Sequence, residues 1–226
     1  MNEEFTYRRA EERDIDFIAD TIIESEKSGT DKLSYCTIFS LEEAEFRRIL
    51  KDILLEDIGG QELCLSGYLI AEANGEYAGA CCSWIEGKDG TSSSIIKANI
   101  LFYFLGEEKS RIADERSELI RKLNFERESG TIQLESGYVT PKYRGKNVCS
   151  NIILELIKNE YAKDNTLTKA QMIIAKTNEL SYKANHKIGF EIVEERYVED
   201  EEILKLLPSN RMILMENTIE DLEKYW

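Results

Sequence analysis

GTIQLESGYVTPKYRGKNVCSNIILELIKNEY, residues 130–161, has the order strand, tight turn, helix. Thr131–Val139 is rich in residues that suit a pleated, part-buried surface. Pro141 lacks an N–H and ends the ladder. The turn is Lys142-Tyr143-Arg144-Gly145-Lys146-Asn147, and beyond it Val148, Ile152, Ile153, Leu156 and Ile157 recur at helical spacing. A helix leaving such a turn has its first N–H groups unpaired. Those donors, at the positive end of the helix dipole, make an anion site suited to phosphate. Arg144 and Lys146 add charge at the same place.

The 226 residues suffice for one domain with a real core, and 42% hydrophobic residues with two prolines mark a globular chain. The formal net charge of −15 disfavours a nucleic-acid partner. It fits a soluble protein and permits long-range attraction of a cationic amine. Cys36, Cys64, Cys81, Cys82 and Cys149 lack metal-ligand spacing, and His186 is the sole histidine, so no metal site is expected. The thiols are those of a reduced, cytoplasmic protein. The charged start has no apolar signal core, and no run approaches the ~20 apolar residues that span a bilayer, so no membrane partner is expected.

Around the central stretch, Phe5–Arg9 reads as a strand and Asp14 as the cap of a helix carrying Ile15, Ile18 and Ile22. Residues 27–37 read as loop. Ser40-Leu-Glu-Glu43 has a capping-box pattern opening a second helix, which Gly59-Gly60 stops. Tyr68–Trp84 is a hairpin turning at Asn74-Gly75. Residues 87–129 read as an insert or elaborated connection: a loop, Ile95–Leu105 as strand or helix, and Glu107–Phe125 as helix. Ala170–Lys176 is a strand parallel to 131–139 across the helical crossover. Asn178 caps a helix that Gly189 ends, and strands follow at Phe190–Val198 and Arg211–Thr218. Glu199–Leu207 reads as a helical turn and Glu220–Trp226 as a tail.

Two motifs in this order resemble the GNAT superfamily of N-acetyltransferases. Val139-Thr-Pro-Lys-Tyr-Arg144-Gly145-Lys146-Asn147 is similar to the family's acyl-CoA signature, a valine strand end and a Pro leading into Arg-Gly-x-Gly. Asn178-Glu-Leu-Ser181 through Lys187-Ile-Gly189-Phe190 is similar to its later motif, an Asn-opened helix ending in Lys-(Leu/Ile)-Gly-Phe. The resemblance implies an α/β (α+β) acyl-CoA N-acyltransferase fold over 1–226 as one domain. Its mixed, twisted sheet of six or seven strands parts between 131–139 and 170–176.

The implied cofactor is acetyl-CoA. Backbone near Tyr138 and Val139 would bind its pantetheine arm. The N–H groups of Arg144, Gly145, Lys146, Asn147, Val148 and Cys149 would hold its diphosphate. Asn178 and Asn185 would contact the arm or the acceptor side. The family's second turn glycine is Asn147 here, a residue that tolerates positive φ and caps helices well. The family's usual tyrosine acid is replaced by Asn185, with Tyr182 on the same helical face as a substitute.

The implied reaction moves an acetyl group to a primary amine of a small molecule or peptide. A lysine-type amine has a pKa of ~10.4 and must lose a proton before it attacks. Glu135, on the strand face of Gly137 and Val139, is the candidate base. A thiol with pKa ~8.5 can leave near neutrality without a strong acid. His186 reads as a surface or helix-end residue, Trp84, Phe102, Tyr103 and Phe104 as core aromatics, and Glu194–Glu202 as a solvated face. The alternative is an acyl-CoA-binding sensor that has lost catalysis. A phosphate-loop nucleotide binder would need Gly-x-x-x-x-Gly-Lys-Ser/Thr, which is absent. The acceptor's identity and the assembly, including a homodimer, stay open.

Overall fold

The chain is described here by a computed structural model covering residues 4–226. The elements run β1 (Thr6–Arg9), α1 (Ile15–Glu26), α2 (Ser34–Phe39), α3 (Glu43–Glu56), β2 (Tyr68–Ala73), β3 (Glu76–Ile85), α4 (Ser93–Arg121) and β4 (Ile132–Val139). They continue with α5 (Val148–Lys163), β5 (Lys169–Ala175), α6 (Glu179–Lys187), β6 (Glu191–Tyr197), α7 (Ile203–Leu206), β7 (Arg211–Thr218) and α8 (Ile219–Leu222). The sheet has seven strands in the order β1-β2-β3-β4-β5-β7-β6. Among the described residues only β4 and β5 pair in parallel. This is the mixed α/β sheet expected.

Helices cover both faces, so β2 is buried almost throughout. Leu69, Ala71 and Ala73 turn toward α5 with its Ile152, Leu156 and Ile157. Tyr68 and Ile70 turn the other way, against Ile18 and Ile22 of α1 and Leu50 and Leu54 of α3. Cys81 and Cys82 fall into these two opposite cores, as a period of two requires. Truncating any of these fully buried aliphatics to Ala costs about 2–5 kcal/mol. The hairpin turns where expected: Asn74 and Gly75 have φ of 56° and 77°, which a two-residue turn of this hand needs.

Several local readings change. Asp14 does not cap α1 with its side chain; the carboxylate accepts from Glu11 N, Arg8 and Tyr77 Oη. The strong cationic partner outcompetes local helix N–H groups. Ser40 is the left-handed end of α2, not the start of α3, which begins after Glu42. The expected loop at 27–37 therefore contains most of a short helix whose Tyr35 is buried against Phe46. Burial of one aromatic stabilises a helix too short to show periodicity. α3 stops at left-handed Asp57, before Gly59-Gly60. Residues 93–121 are helical throughout except at Gly106, whose φ of 76° and ψ of 176° break the helix. The tail carries α8 and a further helical turn at Glu223–Tyr225. β6 is an edge strand, exposed on both faces along most of its length.

Candidate active site

The expected gap is present. β4 and β5 pair only at Ile132↔Ala170 and Gln133↔Gln171. A buried amide chain holds them together at that end: Gln133 Nε2 donates to Gln171 Oε1 at 2.9 Å, and Gln171 Nε2 to Glu216 Oε2 at 2.9 Å. Beyond it, β4 carries a bulge. Its register with β3 slips between Tyr138↔Ala80 and Glu135↔Cys82, and Ser136 adopts φ 52°. One extra residue bends the strand and turns its edge away from β5.

A cavity of about 820 Å³ opens there, lined by Leu134–Gly137 of β4, Met172–Ala175 of β5, Cys149 and Ile153 of α5, and Asn178, Ser181 and Asn185. Asn178 caps α6 as expected, its side chain accepting from Ser181 N at 3.2 Å. Asn185 is 2% exposed; its Nδ2 donates to Ser181 Oγ at 3.2 Å, and its Oδ1 has no partner. A buried amide oxygen without a donor is costly unless a ligand supplies one.

At the outer end, Asn147 takes the left-handed conformation, φ 60°, that a turn glycine would take. Its side chain does not cap α5; Oδ1 accepts from Lys187 Nζ at 3.1 Å. Among the described residues, the N–H groups of Gly145, Asn147, Val148, Cys149 and Ser150 have no hydrogen-bond acceptor, and the first intrahelical bond of α5 runs from Asn151 N to Asn147 O. Arg144 is held by Val139 O and lies 5.8 Å from the Tyr138 ring. Arg144, Gly145, Lys146 and Asn147 are exposed. Tyr138 and Val139 lie on the bent part of β4, outside the cavity lining. The cofactor-site residues expected from the sequence thus divide: Cys149, Asn178 and Asn185 line the cavity, and Tyr138, Val139 and residues 144–148 lie outside its lining.

The inner end holds charges that the sequence reading missed. Glu135 lines the cavity, with its carboxylate held by Arg127. Arg127 Nη1 also donates to Gln133 Oε1 at 2.5 Å, and its guanidinium lies 5.0 Å from the Trp84 ring. Glu62, buried, accepts from Lys97 Nζ at 2.5 Å. Burial alone would raise the Glu62 carboxyl, but Lys97 and Arg127 hold it below the usual range. Glu26, at the end of α1, also lines the cavity. Burial there, with Glu62 and Glu135 nearby, pushes its carboxyl up to about 7 despite Lys97. No local pattern marks Glu26, Glu62, Lys97 or Arg127, since four separate segments bring them together.

Tyr182 is not in the cavity lining. Its ring stacks on His186, centroids 5.7 Å apart, with Lys176 Nζ 5.3 Å away. The helical face that the sequence shares between Tyr182 and Asn185 divides in the fold, Asn185 inward and Tyr182 to the flank. His186 is half-exposed at its helix end, 3.4 Å from Glu191. Phe102 lines the cavity instead of joining the core, Trp84 is core, and Tyr103 is exposed.

No protein-family model matches the sequence, and no curated protein matches it. Solved structures do. A protein described as an acetyltransferase superposes with TM-score 0.63 at 15% identity, covering 95% of this chain and 99% of the other. The aminoglycoside acetyltransferase AAC(6')-Ib, solved with ribostamycin and coenzyme A, superposes with TM-score 0.55 at 15% identity, covering 98% and 97%. An N-acetyltransferase from Staphylococcus aureus Mu50 gives 0.51 at 16% identity, over 95% and 98%. With its bulged β4, its parted β4–β5 pair and these superpositions over nearly whole chains, this protein has the fold of the GNAT N-acetyltransferases.

Proposed function

We propose that the chain is an acetyl-CoA-dependent N-acetyltransferase that acts on a primary amine of a small molecule or peptide by direct transfer. The carrying observation is the meeting of two features at Cys149, which lies in the first turn of α5 and also lines the cavity. A row of unpartnered N–H groups opens α5, and a carboxylate cluster sits at the far end of the gap between β4 and β5. The solved relatives bound to coenzyme A and aminoglycosides support the same reading.

The N–H groups of Gly145, Asn147, Val148, Cys149 and Ser150 bind the diphosphate, aided by the dipole of α5. The β4 edge freed by the bulge pairs with the amides of the arm as an added strand would. Asn185 Oδ1 receives one ligand N–H. When bound, acetyl-CoA supplies an activated acyl carbon and a thiolate leaving group. Glu135 lines the acceptor end, where Arg127 fixes its orientation. With Tyr182 turned to the flank, the thiolate departs without a tyrosine acid. The free thiols fit a reducing compartment, and we place the protein in the cytoplasm on that ground. Residues 1–226 act as one unit in which 87–129 walls the acceptor end. Among the described residues no helix is long and apolar enough to cross a membrane.

Calorimetric titration with acetyl-CoA tests the reading, with saturable binding below about 1 mM expected. Thiol release with a panel of phenethylamine, cadaverine, spermidine, kanamycin and peptide N-termini follows. No binding at millimolar concentration defeats the proposal. Binding with no turnover by any amine assigns the second reading, a sensor, which Asn185 in the tyrosine position favours.

A further inference from the structure

The cavity's charges do not balance. Glu26, Glu62, Asp114 and Glu135 face Lys97, Arg121 and Arg127, leaving one carboxylate in excess. Glu62 takes Lys97, and Glu135 takes Arg127. Asp114 is exposed at the rim. Glu26 is the inner carboxylate with no ion pair among the described residues, and the neutral Ser34 beside it only weakly favours its charged form. The elements packed around it present Ser34 and Tyr35 from α2, Glu62 ahead of β2, Lys97 from α4 and Glu135 from β4, the last held by Arg127 from the segment ahead of β4. A cation of the acceptor is the missing charge.

We infer that Glu26 is the residue that binds the acceptor's ammonium group and takes its proton, making the protein selective for amines that enter as cations. This rests on the acetyltransferase reading above. The ammonium docks on the Glu26 carboxylate and gives it one proton. The nitrogen lone pair then forms the C–N bond as the C–S bond breaks. The sulfur keeps the electron pair and takes the second N–H proton. Glu26 returns its proton to solvent. The sum is ammonium and thioester to amide, thiol and one proton. A carboxyl poised near neutrality, as burial holds this one, suits a general base at that pH. Glu135, held by Arg127, serves as a fixed counter-charge.

Two arms test this. First, the Glu26 carboxyl is followed by NMR in ¹³C-glutamate-labelled protein, assigned by its loss in Glu26→Gln. Its midpoint should lie near neutrality and drop by about one unit or more when 2-phenylethylammonium is added, because a cation favours the carboxylate. An unmoved midpoint overturns the inference. Second, with the amine that the wild type turns over best, Glu26→Gln should lower kcat at least about a hundredfold and abolish the low-pH limb of kcat/KM. Acetyl-CoA affinity should be unchanged. A retained limb overturns the assignment, whereas absence of wild-type turnover with every amine strikes the acetyltransferase reading and leaves the NMR arm to decide on Glu26.

Discussion

At the scale of single residues, stability and activity pull in opposite directions at Glu26. Its folded pKa, near 7, lies above the usual carboxylate value, so the folded state holds a proton that the unfolded chain releases. The contribution of Glu26 to stability therefore falls as pH rises from about 4 to 7. Glu26→Gln should match the wild type below pH ~4 and exceed it above pH ~7, by on the order of 2 kcal/mol after allowance for partial exposure. Denaturant melts across that range check it; equal melts at pH 8 would remove the strain. Asp14 shows the opposite sign. It is fully buried, its oxygens taken by Arg8 at 2.6 and 2.8 Å and by Tyr77 at 2.8 Å, and Arg8 holds it well below the usual range. Its contribution is present above pH ~4 and is lost as pH falls further. Asp14→Asn should cost about 3 kcal/mol at pH 7 and progressively less below pH 4, read by the same melts.

At the scale of elements, the bulge in β4 and the break in α4 shape the cleft. Gly79 of β3 faces the bent part of β4, and a Cβ there would lie 2.6 Å from Tyr138 O. Backbone cannot yield as a side chain would, so Gly79→Ala must push β4 outward. Expected are a loss of about 1–3 kcal/mol and weaker acetyl-CoA binding, measured by melts and calorimetry. Gly106 differs: a Cβ would meet nothing, yet its backbone lies where only glycine sits comfortably. Gly106→Ala should therefore cost about 1–3 kcal/mol through backbone strain alone. Because Lys97 and Phe102 precede the break and Ser117 and Arg121 follow it, all lining the cavity, KM for the amine should rise more than that for acetyl-CoA.

At the scale of the whole molecule, a net charge of −15 surrounds a cleft with one excess carboxylate. The field should draw a cationic acceptor inward, and salt should screen it over a Debye length of ~10 Å at 0.1 M. kcat/KM for the amine is expected to fall roughly three- to tenfold as salt rises from about 20 to 500 mM. A flat profile would show that the charge serves solubility only.

Much of this was legible in the chain. The strand, turn and helix at 130–161, the Asn74-Gly75 hairpin and the Asn178 cap are local: alternation, turn chemistry and capping act within a few residues, so sequence alone decides them. The turn at 142–147 was readable for the same reason, since freeing its main-chain N–H groups needs only a backbone shape that Gly145 and Asn147 can supply. Short helices such as α2 were not, because a single buried aromatic, not a period, stabilises them. The inner end of the cavity, Glu135 apart, belongs to the tertiary structure. Glu26, Glu62, Lys97 and Arg127 come from four distant segments, and whether each carboxylate is paired, buried or left poised depends on which charge the fold sets beside it. Electrostatic energy depends on distance in space, which no spacing along the chain reveals.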